Sequence, residues 1–237
     1  MVNTAMDPLC EEIAGACRVL AGRGLADGVL GHISIRIDAT SMLVRCRGPR
    51  ERGLAWTEPA DVRLVGVDGS GDPGNGYTLP AELPLHTEVF AARPDVRCVV
   101  HAHPFAVVAA DLAGHPMRPL LGAYDIPGAH LAAGGVPVYP RSLLVRTATL
   151  GQEMAEVLGD RPVIVLRGHG LTAVGRDPAE AVLRARSVDV LARTALTVAA
   201  AGGTPVPVPD ADLDELPDLG AGLNLTVAWR HELARLG

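Results

Sequence analysis

Three observations predict an α/β fold. Segments with strand periodicity and segments with helix periodicity alternate along the chain. The 237 residues are 48% hydrophobic and 20% charged, enough for one substantial core. No internal repeat and no linker-like stretch divides the chain, so residues 1–237 read as one domain.

The elements follow in order. Residues 7–25 read as a helix, with Asp7 as N-cap, Pro8 in the first turn and a stop at Gly22 to Gly24. GHISIRID sets Ile33, Ile35 and Ile37 against Ser34 and Arg36, the pattern of a half-buried strand with Arg36 in solvent. SMLVRC and VRLVGVD are further strands. GSGDPGNG is a loop; it matches G-x-G-x-x-G, but Pro73 and the lack of a following helix exclude a dinucleotide site. A helix starts near Pro80–Glu82 and stops at Pro94, VRCVVHAH is a strand, and AVVAADLAG a helix. GVPVYP is a short edge strand, TLGQEMAEVLGD a helix, and PVIVLRGHG a buried strand with a glycine-flanked turn. A long helix follows, capped by Asp177 with Pro178 at its first position. Residues 204–220 read as loop, and a last helix covers Thr226–Leu236.

Composition removes several function classes. The formal net charge is −6 and the basic residues are scattered, which argues against nucleic-acid or anionic-membrane partners. No apolar run reaches the ~18–20 residues of a membrane span. The N-terminal stretch carries acids where a signal peptide carries cations, so a cytoplasmic protein with reduced thiols is expected. Cys98, inside an apolar strand, reads as core. All 21 Lys+Arg residues are arginine; lysine Schiff-base chemistry is therefore impossible, and carbanion stabilisation would need another electron sink, such as a metal.

The chemistry-bearing residues start with VVHAHP. Side chains two apart on a strand share a face, so His101 and His103 point the same way. That pair is half of a metal site, or else two unrelated histidines at a solvated strand end. Glu82 and His86 stand four apart, on one face of the predicted helix. His169 lies in RGHG at a strand end, where Gly168 and Gly170 leave room for a turn and a ligand. Three imidazoles and a carboxylate suit a divalent transition metal, zinc first, with manganese or cobalt as alternatives.

GHISIR, the E-x-x-x-H of AELPLH, ARPDVRCVVHAHP and RGHGL, in this order across roughly residues 10–200, resemble the class II aldolase/adducin family. The resemblance implies a three-layer α/β/α fold with a central, mostly antiparallel sheet. It implies a homotetramer with active sites at subunit interfaces and a small-molecule substrate. His101, His103 and His169 match the family's metal ligands, and Glu82 its metal-site glutamate, which doubles as acid/base. The phosphate cradle of sugar-phosphate members is altered. Arg45-Cys46-Arg47-Gly48 replaces a Thr-Gly turn, and Pro80-Ala81 replaces a pair of serines. Arg45 and Arg47 suit carboxylates by bidentate pairing. The Arg-bearing turn and AYDIPGAHLAAGGVPVYPRS resemble the branch that decarboxylates hydroxylated aromatic acids.

The expectation is a metal-dependent carbon–carbon lyase, a decarboxylase of an ortho-hydroxylated aromatic carboxylate such as a dihydroxyphthalate. The alternative is an aldolase working on a hydroxy-acid or sugar phosphate through a metal enediolate. A non-catalytic scaffold, as in the adducin branch, would have lost metal residues that are intact here. His32 sits where family members contact substrate and is otherwise a core histidine; Arg45, Arg47 and Gly48 complete the substrate-binding candidates. Tyr124 and His130 fall in the segment from which members of the resembled family reach into a neighbouring subunit's site, and either is a candidate proton donor. His86 supports the site or simply packs its helix. His115 reads as loop and His231 as surface.

Overall fold

The computed structural model describes residues 6–220 and 222–237. Helix α1 (Asp7–Gly22) opens with Pro8 in its first turn, but its N-cap is Met6 and makes no side-chain cap. Asp7 lies inside the helix, where its charge meets the positive end of the dipole, a correction to its predicted capping role. Strands β1 (His32–Arg36), β2 (Ser41–Arg45) and β3 (Val62–Gly66) follow. Helix α2 (Pro84–Ala92), strand β4 (Cys98–Ala102) and helix α3 (Phe105–Leu112) come next. Helix α4 (Ile126–Ala132), strand β5 (Val138–Tyr139), helix α5 (Ala148–Leu158) and strands β6 (Val163–Leu166) and β7 (Gly170–Gly175) lead to α6 (Pro178–Ala200). Short α7 (Asp210–Glu215) and α8 (Gly222–Ala234) close the chain.

The seven strands form one sheet in the order β3-β2-β1-β4-β7-β6-β5. Every neighbouring pair is antiparallel except β5 with β6. Alternation along the strands divides the core in two. Cys98, Val100 and Ala102 of β4 face α1, α3 and α6, whereas Val99 packs with α2 and α5 on the other face. Helices on both faces of a mostly antiparallel sheet make the expected three layers.

Three further expectations are corrected. Strand β1 is covered on both faces: Ile33 and Ile35 enter the α1 core, while Ser34 is fully buried beneath α2. Arg36 is half-buried and not simply solvated; its guanidinium lies 4.8 Å from the Phe90 ring centroid and donates to the Phe90 carbonyl. The 204–220 stretch holds helix α7. Helix α4 and strand β7 were not expected. Asp177 caps α6 by accepting from the Glu180 N–H at 2.8 Å, as expected. Among the described residues no helix is long and apolar enough to cross a membrane.

Candidate metal centre

His101 sits near the end of β4, opposite His32 of β1 in the antiparallel ladder. Its parity places it on the α2 face with Val99. The Nδ1–H donates to the Leu171 carbonyl at 3.0 Å. That bond assigns the tautomer and leaves Nε2 with a lone pair, the usual way a backbone carbonyl prepares a metal-binding histidine.

His103 lies one residue past the strand, its backbone N–H donating to the Leu25 carbonyl at 2.8 Å. Its ring centroid is 4.5 Å from that of His101, so the pair does converge. Burial, with His101 and His169 beside it, pushes the His103 imidazole down to about 3. The ring is therefore neutral at physiological pH.

His169 is delivered by the turn joining β6 to β7. Gly168 there adopts φ +60°, and a Cβ on Gly170 would run into the Ala102 carbonyl of β4. Glycine is needed at the first for conformation and at the second for close approach. Asp111 of α3 holds the turn, accepting from the Gly168 N–H at 2.8 Å and from Arg167 Nε at 2.9 Å. The His169 ring centroid lies 5.0 Å from that of His101 and 4.8 Å from that of His103.

Glu82 occupies the turn before α2, not its first helical face, because the helix begins only at Pro84. Its Oε1 accepts from the Val145 N–H at 2.8 Å. Its Oε2 is left 3.6 Å from His101 Nε2 and 3.4 Å from His169 Nε2.

One ligand atom from each of Glu82, His101, His103 and His169 lies within 4.8 Å of the other three. His101 Nε2 and both ring nitrogens of His169 are buried with no hydrogen-bond partner. Buried polar atoms are nearly always partnered; unpartnered imidazole nitrogens converging with a carboxylate oxygen fit a cation. Three imidazole nitrogens and one carboxylate oxygen match a divalent transition metal, whereas magnesium favours an all-oxygen shell.

The structure distributes the other candidates unevenly. His32 reaches the cluster, its ring centroid 5.0 Å from that of His101. His86 lies behind it, with Nε2 2.6 Å from His32 Nδ1. Arg45 is not brought there: it is 3% exposed, pairs with Glu51, and has the parity of Leu43 in the α1 core. Arg47 is exposed and donates to the Val29 carbonyl at 3.1 Å, three residues before His32. Gly48 backs onto Tyr77, whose ring a Cβ would meet at 2.6 Å. Tyr124 is 84% exposed. His130 lies 3.2 Å from the Leu216 carbonyl and lines a separate cavity of about 610 Å³ beside α6 and α8. Sequence reasoning missed Asp111, Ser34 and the carbonyl of Leu171; Asp111 stands in no recognisable motif, and the roles of Ser34 in GHISIR and Leu171 in RGHGL depend on strand pairing that the motifs do not show.

Residues 11–196 match the family model described as Class II Aldolase and Adducin N-terminal domain. The protein is a member of that family. It is 61% identical over 230 residues to a 3,4-dihydroxyphthalate decarboxylase of Arthrobacter keyseri, covering 95% of this chain and 93% of the relative. It is 62% identical over 228 residues to the enzyme of the same name from Terrabacter sp. (strain DBF63), covering 95% of each. Among solved structures, an aldolase II superfamily protein from Pseudomonas syringae superposes with a TM-score of 0.83 at 19% identity, covering 100% of this chain and 94% of that one. This last likeness speaks for the fold alone.

Proposed function

We propose that the protein is a divalent-metal-dependent decarboxylase of an ortho-hydroxylated aromatic carboxylate, 3,4-dihydroxyphthalate being the substrate. One combined observation carries the reading. The chain is 61% identical over 230 residues to a 3,4-dihydroxyphthalate decarboxylase, and its four metal-site side chains converge within 4.8 Å.

His101, His103, His169 and Glu82 would hold the ion. When bound, a divalent cation (zinc first, manganese or cobalt as alternatives) supplies Lewis-acid stabilisation for charge gathering on a substrate oxygen as carbon dioxide leaves. The protein's own groups do the rest. The Arg47 guanidinium pairs with a substrate carboxylate, for which its planar fork is suited, beside the backbone of Gly48. Arg45, tied to Glu51 on the other face, supports that turn from behind. The carbon–carboxylate bond breaks, its electron pair stays on the ring carbon, and that carbon takes up a proton. Glu82 Oε2 is one group placed to handle the proton. Tyr124 and His130 of a neighbouring copy are the proposed alternatives.

The aldolase alternative is less well supported, because Pro80 has no N–H and Ala81 no hydroxyl for a phosphate. A homotetramer with interfacial sites is supported by Phe105 and Leu112, 80% and 69% exposed. Phe105 stands two residues from His103, and Leu112 lies against the Gly168 turn. Large apolar side chains beside a polar centre mark a surface that a second copy covers. The free thiols accord with a cytoplasmic enzyme in which residues 1–237 act as one domain.

The test is direct. Purified protein loaded with zinc, manganese or cobalt should release carbon dioxide from 3,4-dihydroxyphthalate, and chelation should abolish this. No release with any of the three metals sinks the proposal. Arg47→Ala should raise KM about tenfold with little change in kcat, the loss of roughly 1.4 kcal/mol of binding.

A further inference from the structure

His32 stands beside the metal centre yet apart from its four donor groups. A chain of two short contacts runs from it into the protein. His32 Nδ1 lies 2.6 Å from His86 Nε2, and His86 Nδ1 lies 2.6 Å from Ser34 Oγ. His86 and Ser34 have no solvent exposure, and His32 is 7% exposed.

Burial dictates the direction of these bonds. Ser34 carries a hydroxyl hydrogen, and the partner its oxygen meets is His86 Nδ1. If Nδ1 of His86 held a hydrogen, the serine O–H would be buried with no acceptor, an arrangement folded proteins avoid. The satisfied arrangement has Ser34 donating to His86 Nδ1. The His86 hydrogen then sits on Nε2 and is donated to His32 Nδ1. The His32 hydrogen is left on Nε2.

We propose that Ser34 and His86 are positioning residues that hold His32 in its Nε2–H form, making it a hydrogen-bond donor to a substrate oxygen rather than a metal ligand. An imidazole nitrogen bearing hydrogen has no lone pair for a cation. The relay thus separates five neighbouring imidazoles by role. His101 offers a lone pair because the Leu171 carbonyl takes its Nδ1–H; His32 offers a hydrogen because His86 fills its Nδ1. Only the identity of the oxygen, a carboxylate or phenolate of an aromatic acid, rests on the decarboxylase reading.

The tautomer is read without substrate, by nitrogen NMR of protein labelled with ¹⁵N-histidine, His32 being assigned by its loss in His32→Asn. The expected result is hydrogen on Nε2 and none on Nδ1 of His32. Added zinc should shift nitrogens of His101, His103 and His169 and leave that tautomer unchanged. Hydrogen on Nδ1 of His32, or zinc on its Nε2, overturns the proposal whatever the enzyme's substrate. In turnover, Ser34→Ala should raise KM for 3,4-dihydroxyphthalate about tenfold with full zinc content, and Ser34→Thr, which restores the hydroxyl, should recover most of it. An unchanged KM in a folded, zinc-replete Ser34→Ala also overturns the relay. Failure of the wild type to release carbon dioxide would count against the decarboxylase reading and leave the tautomer result standing.

Discussion

Two buried polar clusters lie on opposite faces of the sheet, and they are finished to different degrees. On the α6 side, Glu180 is 6% exposed and both carboxylate oxygens are engaged. Its Oε2 accepts from the Arg176 N–H at 2.7 Å and from Arg176 Nε at 3.1 Å, and its Oε1 from Arg184 at 2.9 Å. On the α2 side, His101 Nε2 and both nitrogens of His169 have no partner. The first cluster is complete as protein and ties α6 to the end of β7. The second has been brought together by three separate chain segments and then left open. Orphaned atoms that converge from several segments, not polarity as such, separate this binding site from a structural network.

The largest effect that tests this difference comes from the open cluster. His103→Ala should lose stoichiometric metal and at least about a thousandfold in kcat, since one ligand in four is removed. Its circular dichroism should stay native, because Val99 and Val100 carry the packing of β4. Retention of full metal content by elemental analysis would return the histidine pair to the status of a strand end.

Glu82→Gln should divide the centre's two roles. The amide still accepts from the Val145 N–H through its carbonyl oxygen but offers a weaker metal ligand and no acid/base function. Metal should stay bound, though less tightly, while turnover falls on the order of a hundredfold. Equal loss of metal and turnover would make Glu82 a ligand alone.

The histidine pair was legible because strand alternation needs nothing beyond its neighbours in sequence. The α6 start was legible for the same reason: Asp177 and Pro178 are a local signal. Glu82 was misplaced onto the helix because Pro80 and Pro84 are both acceptable first-turn prolines, and only tertiary packing selects Pro84. Arg45 and Arg47 looked equivalent. Their separation depends on where β2 ends and which face each residue inherits, information held in the pairing with β3. Strand β7 was missed because GLTAVG is buried on both faces and so shows no alternation.

Acid should act on the imidazoles in and behind the open cluster. Burial pushes His86 down to about 3, and His103 has been pushed equally far. Unfolded histidine titrates near 6.5. Between these values the unfolded chain binds protons that the folded chain refuses, so stability is present above about pH 6.5 and lost as pH falls toward 3. Each such histidine contributes a slope of up to ~1.4 kcal/mol per pH unit. Urea midpoints of chelator-treated protein should drop steadily from pH 7 to pH 5. A flat profile would mean these imidazoles are not buried as neutral groups.

The smallest effect belongs to the finished cluster. Glu180→Gln removes the charge that Arg176 and Arg184 share but keeps the side chain's shape. Arg176 is 63% exposed at its side chain and Arg184 32%, so water takes over much of what the carboxylate supplied. The cost should be about 1–2 kcal/mol of stability, below the ~3–5 kcal/mol of a fully buried broken pair. At α6's first turn the lost negative charge also forgoes a few tenths of a kcal/mol from the helix dipole. Metal content, kcat and KM should all match the wild type. A change in metal affinity on this substitution would show that the two faces are coupled through the β4–β7 ladder, and the division between a finished network and an open site would have to be redrawn.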